Sequence, residues 1–338
     1  MVLLVTGKCG KGCFYCPLSN AKKDQDCFFA DEMPLDGIEG ALEEAKLIRA
    51  HGTGITGGDP LLAMERTEKA IKMLKDSFGE EHHIHIYTAT LDTEKIEKLV
   101  NAGLDELRYH PRPKDWGDIE GDRARLARVL DMPINVGVEI PSLPDMLDNM
   151  TMLAGYLDEM GVLFLNINEL EYSEGNYQAL LGKGYVVEED TSAAMHGSRE
   201  AAMSVLEFAE EEGMALSVHY CSSSFKEGVQ LRNRLIRRAD TIARQMDVVT
   251  DDGTILKGVV EIGGLPPQEA LRKIVDILHV DEELVSIDAD KKRIEVAPWV
   301  LEKGSKKLPF DCFIVEEYPT WDRLEVERRP LKSKQRKK

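Results

Sequence analysis

No apolar run in this 338-residue chain approaches the roughly 20 residues that a membrane helix requires, so no membrane-spanning helix is expected. The opening "MVLLVTG" lacks the basic flank and the length of a signal peptide, and export is not expected. Cysteine is sparse: six residues in a chain this long do not make a disulfide scaffold, and a reduced, cytoplasmic setting fits better. Basic side chains are in deficit. Lys and Arg number 43 against 61 Asp and Glu, a formal net charge of -18, which opposes indiscriminate nucleic-acid binding. There is no internal repeat, and no low-complexity segment outside the last few residues.

What is present describes a globular protein. Hydrophobic residues make up 43% and charged residues 31%, enough to bury a core. Short β-rich apolar runs fall at residues 2–6, 54–56, 84–88, 106–110, 134–140, 164–168 and 216–220. Helical patterns lie between and after them, at 37–50, 63–77, 93–102, 122–130, 145–160, 196–213 and 227–246. Strand–helix alternation implies a parallel sheet with right-handed crossovers. The expected fold class is α/β: a partial, TIM-like (β/α) barrel over residues 1–246, with an open doubly wound sheet as the alternative. Beyond it, two hairpin patterns, a Pro-started helix and a last strand predict a small α+β domain at 247–325. Residues 326–338 are expected to be a basic, disordered tail, since the last eleven residues carry seven basic side chains and no acid.

The strands also predict what faces the lumen. In Ile134-Asn135-Val136-Gly137-Val138-Glu139-Ile140 the apolar residues share one face, and Asn135 and Glu139 share the other. Arg108, His110, Asn166, Asn168 and His219 fall on the corresponding polar faces. A barrel core is ordinarily filled with branched apolar side chains, so a polar set near the strand C-termini points to a polar ligand. His83 and His85 also share a face. With no fourth ligand evident beside His82, His83 and His85, packing is their expected role.

The strongest signal is "CGKGCFYCP", which places Cys9, Cys13 and Cys16 within eight positions. A structural zinc site takes four ligands, and Cys27 is too far along to complete a paired motif. A disulfide would use two thiols and strand the third. A [4Fe–4S] cluster held by three thiolates leaves one iron without a protein ligand, whereas electron-carrying clusters take four. Gly10 and Gly12 allow the backbone to wrap closely, and their order is not that of a dinucleotide-binding loop.

This C-x-x-x-C-x-aromatic-C run, with Tyr15 as the aromatic residue, resembles the cluster motif of the radical S-adenosylmethionine (radical SAM) superfamily, which also follows a first strand. A second likeness lies in Thr56-Gly57-Gly58-Asp59-Pro60, similar to that superfamily's Gly-Gly-Glu-type motif and to the form seen in its aminomutase branch. The whole chain, with "NELEYSEGN" and "YCSSSFKEGVQLR", is similar to an archaeal-type group related to pyruvate formate-lyase activating enzymes. The resemblance implies a partial barrel over about residues 1–220. It implies an enzyme that cleaves S-adenosylmethionine reductively to methionine and a 5′-deoxyadenosyl radical, which then abstracts hydrogen from a substrate. Cys9, Cys13 and Cys16 would hold the cluster. Tyr15, Gly57, Gly58 and Asp59 would contact S-adenosylmethionine, and Val136–Glu139 resembles the adenine-contacting strand. Arg108, Glu139 and Asn168 are further cofactor-binding candidates by rim position.

Other readings concern the substrate. Cys221 ends a strand with lumen parity and is a candidate hydrogen donor or substrate contact. Glu169 and Glu171 follow a strand end, where substrate-binding loops lie. The loop at residues 17–34 is a candidate to close the opening. Lys226, Arg232, Arg234, Arg237 and Arg238, with the tail, could meet RNA. The expected substrate is a small molecule or cofactor precursor, with a ferredoxin- or flavodoxin-like reducing partner. The alternatives are RNA modification, activation of a glycyl-radical enzyme, and a non-enzymatic electron-transfer role.

Overall fold

The computed structural model describes residues 1–188 and 193–331. By its internal contacts the chain divides into two units: Met1–Lys46 with Ala50–Val229, and Leu47–Arg49 with Gln230–Lys338.

The first unit is built on seven parallel strands, matching the seven expected runs to within a residue or two. They are β1 (Val2–Leu4), β4 (Gly52–Thr56), β5 (His83–Thr88), β6 (Glu106–Tyr109), β7 (Asn135–Pro141), β8 (Phe164–Asn168) and β9 (Ser217–Cys221). A hairpin not anticipated from sequence, β2 (Phe29–Ala30) and β3 (Met33–Pro34), adds antiparallel to β1. The order is β3-β2-β1-β4-β5-β6-β7-β8-β9, an open, partial barrel. The second half of the loop at 17–34 is therefore a sheet edge.

Alternation carries the packing. In β5 Ile84 and Ile86 are fully buried while His83, His85 and Tyr87 are less so; in β8 Leu165 and Ile167 are buried and Asn166 and Asn168 partly open. The apolar set joins helix residues such as Ile71, Leu74, Ile96, Leu99, Leu126, Leu153 and Val205 in one core. Burial of side chains of this size stabilises by roughly 1.5–3 kcal/mol each. The outer face thus drives folding, and the lumen face is left for polar groups.

The second unit is a six-stranded antiparallel sheet: β10 (Val248–Val249), β11 (Ile255–Glu261), β12 (Val285–Asp288), β13 (Arg293–Val296), β14 (Asp311–Glu317) and β15 (Glu325–Leu331). The hairpin at Asp251-Asp252-Gly253 and the helix Pro267–Leu278 fall where expected. Two boundaries differ from the sequence reading. The helix Arg232–Ile242, expected as part of the barrel domain, groups with this unit: Arg232 pairs with Asp252, and buried Arg238 donates to the Pro319 carbonyl. The expected tail is strand β15 as far as Leu331, because Phe313 and Cys312 on β14 offer it a pairing edge; residues 332–338 lie outside the described residues. A buried ion network holds the sheet. Arg293 meets Asp288 (3.1 Å), Glu295 (3.0 Å) and Glu317 (3.0 Å), Arg323 meets the same three acids, and Lys257 pairs with Glu317.

Candidate active site

The three clustered cysteines open onto one cavity of about 670 Å³. Its wall comes from the cysteine loop, from Thr56-Gly57-Gly58 after β4, from Tyr87-Thr88-Ala89 and His110 after β5 and β6, and from the ends of β7 and β8 with the loop beyond. Lys226 adds a cation. All these segments lie at or past strand C-termini, where a barrel of this kind places its chemistry.

The cysteine loop is braced from three sides. Gly12 takes a left-handed φ of +63°, a turn that a side chain would strain. Gly57 and Gly58 lie against the loop so closely that a Cβ would come within 2.3 Å of the Thr6 carbonyl and 2.2 Å of the Lys8 carbonyl. Backbone bonds Gly58 N to Thr6 O (2.7 Å) and Asp59 N to Lys8 O (2.9 Å) hold the two segments together. From the far side, Asn176, 1% exposed, donates Nδ2 to the Tyr15 carbonyl at 2.9 Å and to the Glu171 carbonyl at 3.0 Å, while its Oδ1 accepts from Ser173 N–H at 2.7 Å. A Cβ on Gly175 would sit 2.0 Å from the Leu18 carbonyl. In the stretch read from sequence as a substrate loop, Glu169 and Glu171 line the cavity, while Gly175 and Asn176 buttress the cysteine loop.

Tyr15 is itself fixed. Its hydroxyl lies 2.8 Å from His110 Nε2, and His110 Nδ1 lies 2.7 Å from the Glu139 carbonyl. A carbonyl can only accept, so Nδ1 carries the proton and Nε2 accepts from the phenol. Burial holds the imidazole below its ordinary pKa and raises the phenol, which keeps both groups neutral. Burial also raises the Cys9 thiol, with Asp59 and the neighbouring cysteines adding to it.

The lumen candidates separate into two groups. Glu139 and Asn168 line the cavity, and the Glu139 carboxylate accepts from Asn168 (2.8 Å), Asn166 (3.3 Å) and Arg108 (3.2 Å). Arg108, Asp59 and Cys221 are not among the lining residues. Arg108 is engaged by Glu106 (2.7 Å), the Tyr87 hydroxyl (2.9 Å) and Glu139. Asp59, 2% exposed, has its carboxylate held by Leu61 N–H (3.1 Å), Thr88 Oγ1 (2.9 Å) and Thr90 Oγ1 (2.8 Å). Its backbone N–H also holds the Gly-Gly turn to the cysteine loop through the Lys8 carbonyl. Cys221 lies beside Asn168 in strand register, and burial raises its thiol. Sequence reasoning missed Asn176, Tyr87 and Thr88; long-range hydrogen bonds of this kind leave no local pattern.

The rim carries charge. Lys226 pairs with Glu171 at 2.6 Å, and Glu169 accepts from Ser223 N–H at 2.7 Å. Lys226 opens a π-helical turn, Lys226–Leu231, a distortion frequent at functional sites.

The thiols suit a multi-iron cluster. All six cysteines are free. Ligand groups with every donor atom within 4.8 Å of the others occur, among the described residues, at His83, His85 and Glu106 but not at the three cysteines. A single tetrahedral ion would need such tight convergence, with bonds of about 2.3 Å to sulfur. A larger cluster does not.

Comparison with known proteins adds the following. Residues 3–110 match the pattern of the radical SAM superfamily, and residues 253–331 match a domain of unknown function (DUF8061). A Methanocaldococcus jannaschii protein, provisionally named a glycyl-radical enzyme activating enzyme, is 39% identical over 354 residues, covering 100% of this chain and 91% of that one. Among solved structures, Streptococcus suis SuiB bound to precursor peptide SuiA matches at 12% identity and a TM-score of 0.46, covering 68% of this chain and 50% of SuiB. SuiB bound to S-adenosylmethionine matches at 9% identity and a TM-score of 0.43, covering 66% and 49%. The chain spans about half the length of the SuiB chains it matches.

Proposed function

The chain belongs to the radical SAM superfamily and is an S-adenosylmethionine-dependent enzyme with a [4Fe–4S] cluster; from that premise we propose that it takes a hydrogen atom from a small polar substrate. The observation that carries the reading is that Cys9, Cys13 and Cys16 share one bounded cavity with Glu139, Asn168, Glu169, Glu171 and Lys226.

In this reading the three cysteines hold the cluster on a loop braced by Gly57, Gly58 and Asn176. When bound, the cluster and S-adenosylmethionine supply the electron transfer and the 5′-deoxyadenosyl radical. Everything else falls to the chain. Tyr15, locked by His110, gives the cavity a rigid wall beside the cysteines. The backbones of Gly57 and Gly58 offer carbonyls to an amino group, with Asp59 holding the turn from behind. Glu139 and Asn168, pre-aligned by Arg108 and Asn166, present a carboxylate and an amide to hydroxyl or amino groups of a ligand, so little reorganisation accompanies binding. Cys221, the register partner of Asn168 on the next strand, shares its face of the sheet and is a candidate hydrogen donor or substrate contact. The Glu171–Lys226 pair at the rim could exchange for a charged substrate group. A ferredoxin- or flavodoxin-like protein in the cytoplasm would supply electrons.

The name of the Methanocaldococcus relative favours a second reading, activation of a partner protein by glycyl-radical formation. An RNA substrate has less support: Arg232, Arg238 and Lys226 already have partners, and residues 332–338 lie outside the described residues.

Anaerobic reconstitution with dithionite and S-adenosylmethionine is expected to yield 5′-deoxyadenosine; none from a protein with a full cluster overturns the enzyme reading. Comparing metabolites and modified nucleosides in a deletion strain then separates the substrates. An accumulating small molecule supports the proposal. A lost nucleoside modification, or a glycyl radical appearing on a partner protein, replaces it.

A further inference from the structure

At the opposite end of the strands from the cysteines, the lumen gathers a second set of ligand-type side chains. His83 opens β5, His85 stands two residues along on the same face, and Glu106 opens β6 as the register partner of His85. One donor atom from each of the three lies within 4.8 Å of the others. We propose that His83, His85 and Glu106 form a site for a divalent first-row transition metal, separate from the cluster.

The geometry supports this in four ways. Two imidazoles and one carboxylate form a donor set that such ions favour over calcium or magnesium. Metal–ligand bonds of about 2.0–2.2 Å put donor atoms roughly 3–3.5 Å apart, so the present spacing needs only a modest side-chain rotation to close. His83 Nε2 already stands 3.7 Å from Glu106 Oε2. The other carboxylate oxygen, Oε1, is held by Arg108 Nε at 2.7 Å, which orients Glu106 as an outer-shell partner orients a metal ligand. Arg108 is a cation near the site, but it is shared with Glu139, so the three groups together keep a negative charge.

The site also has an unexplained polar group and built-in room. Among the described residues, His85 Nδ1 is buried with no hydrogen-bond partner, which costs free energy unless something binds the ring. The His85 ring lies over Gly54 on β4, where a Cβ would meet Nε2 at 2.6 Å; only glycine lets the ring lie there. His83 is 44% exposed at its side chain, which gives the ion a route in and leaves coordination positions to water. His82 has a different role, hydrogen-bonded to Thr53 Oγ1 at 2.8 Å in the core.

The test is anaerobic calorimetric titration of the cluster-loaded enzyme with Zn²⁺, so that Cys9, Cys13 and Cys16 are already occupied. One Zn²⁺ per chain is expected. Affinity should fall at least ~10-fold in His83→Ala and in Glu106→Gln, with iron and sulfide content unchanged. Co²⁺ in place of Zn²⁺ should give ligand-field absorption without a thiolate charge-transfer band. His83 is half exposed, so its variant should fold even if Glu106→Gln does not, and it decides alone. Binding of equal strength in His83→Ala, a thiolate band with Co²⁺, or no binding up to ~1 mM Zn²⁺ overturns the site.

Discussion

Asn176 ties the cysteine loop to the loop beyond β8, and its replacement by alanine tests whether that tie positions the cluster. The side chain makes three hydrogen bonds to backbone groups, at 2.7, 2.9 and 3.0 Å, and is 1% exposed. Each bond contributes roughly 0.5–1.5 kcal/mol net, and a buried partner left unpaired costs about 1–3 kcal/mol. The three share one side chain and do not add fully. A loss of about 3 kcal/mol follows, which for a unit of about 150–250 residues lowers the midpoint by about 6–12 °C. Asn176→Asp keeps the acceptor for Ser173 N–H but turns an oxygen toward two carbonyls, so it should be no milder. The assays are urea unfolding followed by circular dichroism, with iron and acid-labile sulfide counted per chain after anaerobic reconstitution. Both variants should be destabilised and hold substoichiometric cluster. A thermal-unfolding midpoint, followed by circular dichroism alongside the urea series, within ~2 °C of wild type and with full cluster content would show that the Asn176 tie neither stabilises the unit nor shapes the loop.

Further outcomes follow from the same structure. Cys13→Ala should abolish both iron binding and 5′-deoxyadenosine formation while leaving the far-ultraviolet circular dichroism unchanged; retained iron would remove it from the ligand set. Tyr15→Phe leaves His110 Nε2 without its donor and should lower stability by about 1–2 kcal/mol, read as a shifted urea midpoint at constant m-value. In the second unit, burial alone would raise Glu317, but Lys257 and Arg323 hold it down to about 2. A depressed folded pKa means stability that is present above the unfolded value near 4.5 and lost as pH falls through about 2. Hydrogen exchange across β11 and β14 should therefore rise between those values in the wild type, and Glu317→Gln should flatten that dependence and expose the strands at neutral pH. An identical acid profile in the variant would discount the network. Deleting residues 332–338 should leave RNA affinity unchanged; a clear loss would revive the RNA reading.

Much of the fold was legible because local patterns carried it. Ile84 and Ile86 alternating with His83, His85 and Tyr87 declared a strand with two unlike faces, and strand–helix alternation then implied a parallel sheet. The parts that local patterns do not carry depend on partners distant in sequence. Residues 326–331 read as part of a basic tail from their charge, and only pairing with β14 makes them a strand. The short β2–β3 hairpin has two residues per strand and leaves no period to read. Arg108 and Asp59 have the residue types and positions of ligand contacts, and only the fold shows which neighbours they meet: Glu106, Tyr87 and Glu139 for Arg108, and Leu61, Thr88 and Thr90 for Asp59. Packing is the role expected for His83 and His85 from their sequence neighbours, and the carboxylate beside them, Glu106, comes from the next strand.

By itself the sequence determined the initiating chemistry and the sheet, since both are written in short spacings: three thiols in eight positions, and period-two alternation along each strand. The tertiary structure decided which polar groups remain available. Hydrogen bonds are made with neighbours in space, so only the folded chain shows which groups hold Asp59 and Arg108, that Asn176 and Tyr15 are braces, and that Glu106 stands beside His83 and His85.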